Sequence, residues 1–453
     1  MNNKLPAWRK WMYGSGDLGF SITSTIIGFY FLFFLTDVVG VNIKIAGLAI
    51  FIGRTWDYIN DPLFGYISDR TRSRWGRRRP FLLYGPIPFA IFFTLMWWKP
   101  PIQGDFALVV YYTVIYMLYD ASATMIYMPY FALTPEMTSD YDERTSLTSV
   151  RAFFSLLGSL VAFTIPLMIV GSLSPENKNN VLIMGLIFGI ASAIPLWLVF
   201  FGTRERPEFM NQKQPSLRES IRASINNRPF LFSAAIYLFT WVSIDILQAS
   251  ILYFIIHVVN QENNNLLIMA SIFVIAMFAL PLWTWVSKRL NKRLAYIIGV
   301  AFLAGVLLVL VTLTPATPIY YIVFLCILAG IGVSAAHVMP WSIIPDAIEY
   351  DELKTGERHE GMFYSFISLS QKIASSFAIL MVSQVLGATG YIQNSTQQPA
   401  SAILGIRIVI GPLPAFMLCI GIVFAILYPL GRERYTQIAR ELEERRANAS
   451  KEE

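Results

Sequence analysis

Charged residues are scarce in this chain. Asp, Glu, Lys and Arg make up 14% of its 453 residues, whereas a soluble domain has about 25% of them. Hydrophobic residues account for 55%, and apolar runs recur along almost the whole sequence. These runs leave no room for a separate soluble domain, so we expect one integral membrane body.

Cysteine and histidine are scarcer still. Cys326 and Cys419 both lie in apolar segments, which excludes a disulfide scaffold and a cysteine metal site. His257, His337 and His359 are far apart and lack metal-ligand spacing. Because no nucleophile, base and metal constellation accompanies them, we expect no enzyme activity, no cofactor and no metal beyond a coupling ion.

Apolar segments long enough to cross a membrane dominate the chain, since a spanning helix needs about 20 mostly apolar residues. The first is too long for a signal peptide and is expected to be retained. The sequence therefore predicts an all-α membrane protein with twelve transmembrane helices. These lie at 13–36, 43–66, 80–99, 106–130, 149–171, 180–201, 229–257, 265–287, 294–314, 318–342, 361–387 and 404–430.

Positive charge is distributed unevenly between the two ends of these helices. Of the 35 Lys and Arg residues, 28 fall in the N-terminus, the C-terminal tail and alternate loops, and only Lys44, Lys99, Lys178 and Arg407 lie at the opposite face. Cytoplasmic loops retain positive charge. We therefore expect both termini in the cytoplasm and the protein in the cell inner (plasma) membrane, with the net charge of +6 reflecting topology rather than a nucleic-acid partner.

The longest polar connection divides the predicted helices into six and six. We expect an N-terminal bundle over 1–202, a cytoplasmic loop over 203–228, a C-terminal bundle over 229–430 and a cytoplasmic tail over 431–453. Basic clusters follow both the second and the eighth helix, as parallel transporter halves would have. The general retention of Lys and Arg in cytoplasmic loops would by itself also produce these basic clusters.

Helix 2 carries the most informative polar residues. Asp57, Asn60 and Asp61 are three or four residues apart, so they project from one stripe. Two close carboxylates need a cation or a shared proton between them, and oxygen ligands suit a hard ion such as Na⁺. Thr124 in helix 4 offers a further oxygen, although an intramembrane threonine more often bonds its own backbone. The alternative is an Arg54–Asp57 pair that leaves Asp61 in solvent.

Other polar residues lie singly in apolar helices. Lys372 is the only charge in its part of helix 11 and is either a cavity residue or a snorkelling one. Arg151 lies one turn into helix 5, which leaves a loop or interface role open. Asp245 in helix 7 and His337 in helix 10 are each more typical of structural residues. Asp17 lies on a glycine-rich face that permits close helix packing.

Several motifs resemble the glycoside/pentoside/hexuronide:cation symporter family of the major facilitator superfamily, the melibiose permease-like transporters. The resemblance extends over most of the chain, and the helix 2 motif is its most specific part. The matching stretches are Arg54 to Pro62, Gly65 to Asp69, Arg72 to Pro80, Thr36 to Gly40, and Asp346 to Glu360 leading into Tyr364 and Lys372.

The resemblance implies a cation symporter and assigns residue roles. A site for Na⁺, Li⁺ or H⁺ would comprise Asp57, Asn60, Asp61 and Thr124, with Lys372 as charge partner. Arg151 matches a sugar-facing arginine. Asp69, Arg70, Arg77 and Arg78 would belong to a cytoplasmic gating network that holds one conformation by ion pairing.

The implied substrate pocket departs from the family pattern. Ser21 and Tyr127 stand where carboxylates would be, and Phe131 and His337 replace tryptophans. The candidate substrate-binding residues are Ser21, Asp17, Asp120, Tyr127, Phe131, Arg151, His337 and Lys372. We expect coupled uptake of a sugar or glycoside by alternating access. Alternatives are a non-sugar solute such as a lysolipid or organic anion, and a transporter-like sensor that does not transport.

Overall fold

The computed structural model describes residues 5–137, 141–203, 227–355, 360–395 and 397–430, together with 437, 438 and 441. All regular secondary structure within these ranges is helical. Most of the predicted 203–228 loop and of the 431–453 tail lies outside the described residues.

The first half of the chain begins with a helix of mixed geometry. Helices α1 (Ala7–Gly14) and α2 (Gly16–Ile26) continue into π-helical turns at Ile27–Phe31 and Phe34–Val39. The helices that follow are α3 (Ile43–Thr55), α4 (Asp57–Arg70), α5 (Arg79–Tyr84), α6 (Pro86–Met96), α7 (Asp105–Met137), α8 (Tyr141–Val170) and α9 (Lys178–Gly202).

The second half contains longer uninterrupted helices. They are α10 (Arg228–Tyr253), α11 (Asn265–Arg289), α12 (Lys292–Leu310), α13 (Ile319–Thr355), α14 (Glu360–Ala388), α15 (Ala400–Ile410) and α16 (Pro412–Leu427). A π-helical turn at Phe254–Val258 extends α10.

Nine helical segments in the described part of the chain are long and apolar enough to cross a membrane. They coincide with the predicted spans from 106–130 onwards. The predicted spans at 13–36, 43–66 and 80–99 are also helical, but Ser15, Trp56 and Gly85 divide them into shorter pieces. The break at Gly85 precedes Pro86, whose nitrogen has no proton to donate to the helix.

The surface and interior have the polarity expected in lipid. Phe106, Met168 and Phe278 are each at least 70% exposed, while Asn60 and Ser376 are fully buried. Because lipid tails cannot satisfy a hydrogen-bonding group, such polar side chains face the protein interior. We therefore expect the functional polar side chains in the interior.

Glycines on α1 and α2 bring these helices close to their neighbours, as the small-residue face predicts. A Cβ atom at Gly19 would lie 2.3 Å from the Ser192 carbonyl oxygen on α9, and one at Gly14 would lie 2.6 Å from Val150 on α8. Bulkier residues would push these helices apart. The close approach of α2 to α8 brings Asp17 next to Arg151.

Contacts also link the two halves of the chain. Helix α14 packs against α3 as well as α10, and α11 packs against α8. The π-helical turn at Ile27–Phe31 packs against α10. Between these helices remain the cavities that contain most of the predicted site residues.

Candidate functional site

Two adjoining cavities, of about 640 and 430 Å³, lie between the halves of the chain. The larger one is lined mainly by α2, α7 and α14, with Asp57 from α4. The smaller one is lined mainly by α2, α8, α10 and α11. Residues from both halves line both cavities, among them Ser21, Arg54, Ser155, Trp241 and Ser375.

The stripe on α4 meets α7 and α14 at the larger cavity. The Lys372 ammonium lies 2.8 Å from Asp57 Oδ2 and 2.5 Å from Asp61 Oδ2. The Thr124 hydroxyl lies 3.3 Å from the Oδ1 atom of each aspartate. A hydroxyl has only one proton to donate, so Thr124 bonds one carboxylate at a time. The structure thus brings together Asp57, Asp61, Thr124 and Lys372.

Arg54 does not form the alternative pair with Asp57. Its Nε donates to the Tyr116 hydroxyl at 2.9 Å, and no carboxylate of the described residues lies within salt-bridge distance of its guanidinium. Arg54 lies at the end of α3, and the helix break at Trp56 separates it from the start of α4. Lys372, from the other half of the chain, neutralises Asp57 instead.

Asn60 and Asp120 extend this group. Asn60 is fully buried, and its amide nitrogen lies 3.4 Å from Asp120 Oδ2. Its Oδ1 atom has no hydrogen-bond partner among the described residues. A buried oxygen without a partner costs free energy and is a suitable ligand for a hard cation. Asp120, expected at the substrate, lies beside the predicted cation ligands.

The oxygen ligands of the predicted cation site fit a monovalent cation better than a divalent one. It offers two carboxylates that already share one ammonium, an amide oxygen and a hydroxyl. In the described part of the chain, no group of three or more His, Cys, Asp and Glu side chains is placed to hold a metal ion. A single positive charge that competes with Lys372 matches these ligands.

Asp17 and Arg151 form an ion pair at the edge of the larger cavity. Arg151 Nε lies 2.7 Å from Asp17 Oδ2, and both side chains are nearly buried. The guanidinium lies 3.9 Å from the centroid of the Phe131 ring. Asp17 and Tyr127 line the cavity, whereas Phe131 contacts the arginine. Phe131 therefore supports Arg151 in this arrangement.

The remaining predicted substrate residues line the smaller cavity. Ser21 shares a hydrogen bond of 2.8 Å with Ser155. The Nδ1 atom of His337 lies 3.0 Å from the Val333 carbonyl oxygen, and the His337 ring contacts the Trp241 ring. Ser21 and His337 both line this cavity. The structure thus brings them together from opposite halves of the chain.

Sequence reasoning missed a polar stripe on α10. Tyr237, Trp241, Asp245 and Gln248 follow one another at spacings of four, four and three residues, and each lines one or both cavities. The spacing that identified the stripe on α4 would have found this one as well. Taken alone, Asp245 is typical of a structural residue, and only its neighbours on the stripe indicate a site.

The predicted gating residues lie at the end of α4 and the start of α5. Arg70 is exposed, while Arg77 and Arg78 are only 5% exposed. The Asp69 side chain lies outside the described residues. The ion pairing of this network therefore stays a prediction.

A second junction between the halves lies near the end of the first predicted span. The Tyr391 hydroxyl lies 2.9 and 2.8 Å from the two carboxylate oxygens of Asp37. Thr36 contacts both Asp37, at 2.6 Å, and the Tyr253 hydroxyl, at 2.8 Å. His257 Nε2 lies 2.9 Å from the Tyr391 oxygen. Thr36, Asp37, Tyr253 and Tyr391 are buried, so these contacts join the two halves away from lipid and water.

Comparison with known proteins identifies relatives over nearly the full length. An uncharacterized symporter of Synechocystis is 32% identical, with 98% of each chain covered. The sodium-dependent lysophosphatidylcholine symporter 1-A of Danio rerio is 29% identical, over 95% of this chain and 87% of the relative. The isoprimeverose transporter of Lactiplantibacillus pentosus is 26% identical, over 87% and 83%.

Structural and family comparisons agree with these relatives. A crystal structure of a D-xylose-proton symporter superimposes with a TM-score of 0.67 at 15% identity, over 93% of this chain and 96% of the other, and so shares the fold. A family model described as MFS/sugar transport protein matches residues 12–432. The chain therefore belongs to the MFS/sugar transport family, whose members are membrane transporters of the major facilitator superfamily and not enzymes.

Proposed function

We propose that this protein is a secondary active symporter that couples the entry of Na⁺, or of Li⁺ or H⁺, to the uptake of a sugar or glycoside. The observation that supports this proposal best is the Lys372 ammonium shared by Asp57 and Asp61 at the wall of a central cavity. In this proposal the cation site is Asp57, Asn60, Asp61 and Thr124.

Cation binding acts by replacing the lysine. When Na⁺ enters between the carboxylates, it neutralises the charge that Lys372 had neutralised, and the lysine is released toward the cavity. The cavity then differs between the cation-bound and cation-free protein. If the bound cation increases the affinity for substrate by some factor, bound substrate increases the affinity for the cation by the same factor, because linkage is reciprocal.

Alternating access requires two halves that move around this site. We assign twelve transmembrane helices to two six-helix bundles over 1–202 and 229–430, in the inner membrane with both termini in the cytoplasm. The end of the first span at Gly40 then faces outward. Asp37 and Tyr391 would hold the outer end closed, and their hydrogen bonds would break when the outward-open state forms.

A sugar or glycoside fits the hydroxyl-rich walls of the smaller cavity. Ser21, Ser24 and Ser155 line it on one side, and Gln248 and Ser375 line it on the other. Sugar hydroxyls donate and accept hydrogen bonds with such groups. The relative named as an isoprimeverose transporter supports the same substrate class.

A lysolipid is the second candidate, and one cavity favours it. An apolar pocket of about 70 Å³ adjoins the smaller cavity and shares Phe29, Gln248, Phe273, Val333 and His337 with it. A ligand with a polar head and an apolar chain could occupy both spaces. The lysophosphatidylcholine symporter among the relatives is consistent with this alternative.

Reconstitution in proteoliposomes tests the proposal. Radiolabelled isoprimeverose and lysophosphatidylcholine would be offered with an inward Na⁺, Li⁺ or proton gradient. We expect gradient-driven accumulation by the wild type and its loss in Asp61→Asn, with normal activity in Asp105→Asn, a control at the exposed start of α7. Cation-stimulated uptake that survives intact in Asp61→Asn would contradict the assigned site, and binding without counterflow would indicate a sensor.

A further inference from the structure

Asp245 on α10 presents a carboxylate to the smaller cavity. The Ser375 hydroxyl on α14 donates to its Oδ2 atom, while Oδ1 has no hydrogen bond in the described part of the structure. We propose that Asp245 and Ser375 form a substrate subsite in the C-terminal half, which binds a hydroxyl or ammonium group of the ligand and disfavours a carboxylate. The proposal rests on the proposed transport function and specifies its substrate class.

The hydrogen-bonding pattern of Asp245 determines what it can bind. An ionised carboxylate accepts hydrogen bonds and donates none. Ser375 satisfies one oxygen, so the other is available to a donor in the cavity. A ligand carboxylate placed there would face a like charge with no proton between the two groups. The subsite therefore distinguishes ligands by the charge of the contacting group and by whether that group can donate a hydrogen bond.

The neighbours of Asp245 along α10 suit a ring-shaped ligand. Trp241 lies one helical turn before Asp245 and lines both cavities. The Tyr237 ring lies 5.8 Å from Trp241 and 4.9 Å from Trp341, measured between centroids. Such a group of aromatic faces can pack against the apolar face of a sugar while Asp245 binds its hydroxyls.

The α2 and α8 side of the smaller cavity is neutral. Ser21 bonds Ser155, and Thr25 donates to Ser159 at 3.3 Å. Arg54 and Asp245 are the charged residues in the lining. Their formal charges cancel, so the smaller cavity as a whole favours a neutral ligand. The negative group in this cavity is the Asp245 carboxylate on α10.

Helix α14 connects this subsite to the cation cluster. Lys372 and Ser375 are three residues apart, so they lie on neighbouring positions of one helix face. Lys372 contacts Asp57 and Asp61, whereas Ser375 contacts Asp245. A cation that displaces Lys372 would free the lysine side chain one helical turn from Ser375. We therefore expect occupancy of the subsite to depend on occupancy of the cation site.

A matched set of three glucosides tests the charge selectivity. Methyl β-D-glucoside, its 6-amino-6-deoxy derivative and methyl β-D-glucuronide differ only at C6, which is neutral, positive or negative. Their dissociation constants would be measured on the full-length protein in nanodiscs, in saturating Na⁺. We expect the wild type to bind the neutral and amino probes at least about tenfold more tightly than the glucuronide.

Variants of the subsite provide the second part of the test. Asp245→Asn keeps the side-chain shape, and we expect it to weaken binding of the neutral and amino probes about tenfold and to narrow the discrimination against the glucuronide. Ser375→Ala should have a smaller effect of the same kind. Ser287→Ala, which removes a partly exposed hydroxyl on α11 outside both cavities, is the control. Monodisperse elution and Na⁺-dependent thermal stabilisation report whether each variant is folded.

Three results would overturn the subsite. They are equal affinity for all three probes, wild-type affinities and selectivity in Asp245→Asn, and failure of every probe to bind wild-type protein that Na⁺ stabilises. Failure of the proposed function has a different signature. Asp245-dependent selectivity without any response to Na⁺, Li⁺ or pH would support the subsite and contradict cation coupling.

Discussion

Lys372 and Asp61 are 311 positions apart in the sequence, and their charged atoms lie 2.5 Å apart. The contact joins α14 in the second half of the chain to α4 in the first. It also places a fixed positive charge where a coupling cation is proposed to bind. The fixed charge and the mobile one therefore compete for the same two carboxylates.

Removing that lysine should make stability depend on the cation. In Lys372→Gln the two aspartates lose their positive partner, and breaking a buried pair in this way costs about 3–5 kcal/mol. We expect a lower melting temperature without Na⁺ and a larger stabilisation by Na⁺ than in the wild type. Differential scanning fluorimetry in NaCl and choline chloride of equal ionic strength measures both. Lys292→Gln, at the partly exposed pair with Asp346, is the control and should show no added Na⁺ response.

The Asp17–Arg151 pair should behave as a coupled unit. Asp17→Asn leaves a nearly buried guanidinium without its carboxylate, and Arg151→Gln leaves the reverse, so each single variant should lose about 3–5 kcal/mol. The double variant has no uncompensated charge. We expect its loss to be smaller than the sum of the two single losses, as measured by a double-mutant cycle of unfolding. Additive losses would show that the two side chains do not interact.

Loss of the Tyr391 hydroxyl should favour opening of the outer end. Tyr391→Phe removes the donor to a buried carboxylate, Asp37, and hydrogen bonds to charged groups contribute about 1.5–3 kcal/mol. In a variant without Cys326 and Cys419, a cysteine introduced at Ser24 in the cavity reports access. We expect a polar maleimide added outside to label it about tenfold faster in Tyr391→Phe. Tyr320→Phe, which changes an exposed tyrosine, should leave the rate unchanged.

Close packing of α2 against α9 should not tolerate a larger residue. In Gly19→Ala the new Cβ atom would lie 2.3 Å from the Ser192 carbonyl oxygen. Overpacking of this kind costs about 1–3 kcal/mol, so we expect a lower melting temperature. Gly305→Ala is a matched control, because a Cβ atom there meets nothing within 4 Å. Equal melting temperatures for the two variants would contradict the packing.

Part of the candidate site could be predicted from the sequence because it is local. The spacing of Asp57, Asn60 and Asp61 places them on one helical stripe whatever surrounds it. The same rule places Tyr237, Trp241, Asp245 and Gln248 on one stripe of α10. Which stripe faces a cavity depends on the neighbouring helices, and their arrangement is not encoded in helical spacing.

The apolar segments by themselves determined that this is a helical membrane protein, because lipid requires every spanning segment to satisfy its own backbone hydrogen bonds. The choice of partner for each polar side chain was decided only by the tertiary structure. Arg54 is only three residues from Asp57 in sequence but bonds Tyr116, whereas Lys372 reaches Asp57 from another helix. Such pairings depend on how helices distant in sequence pack together, and that packing depends on the shapes of the side chains between them.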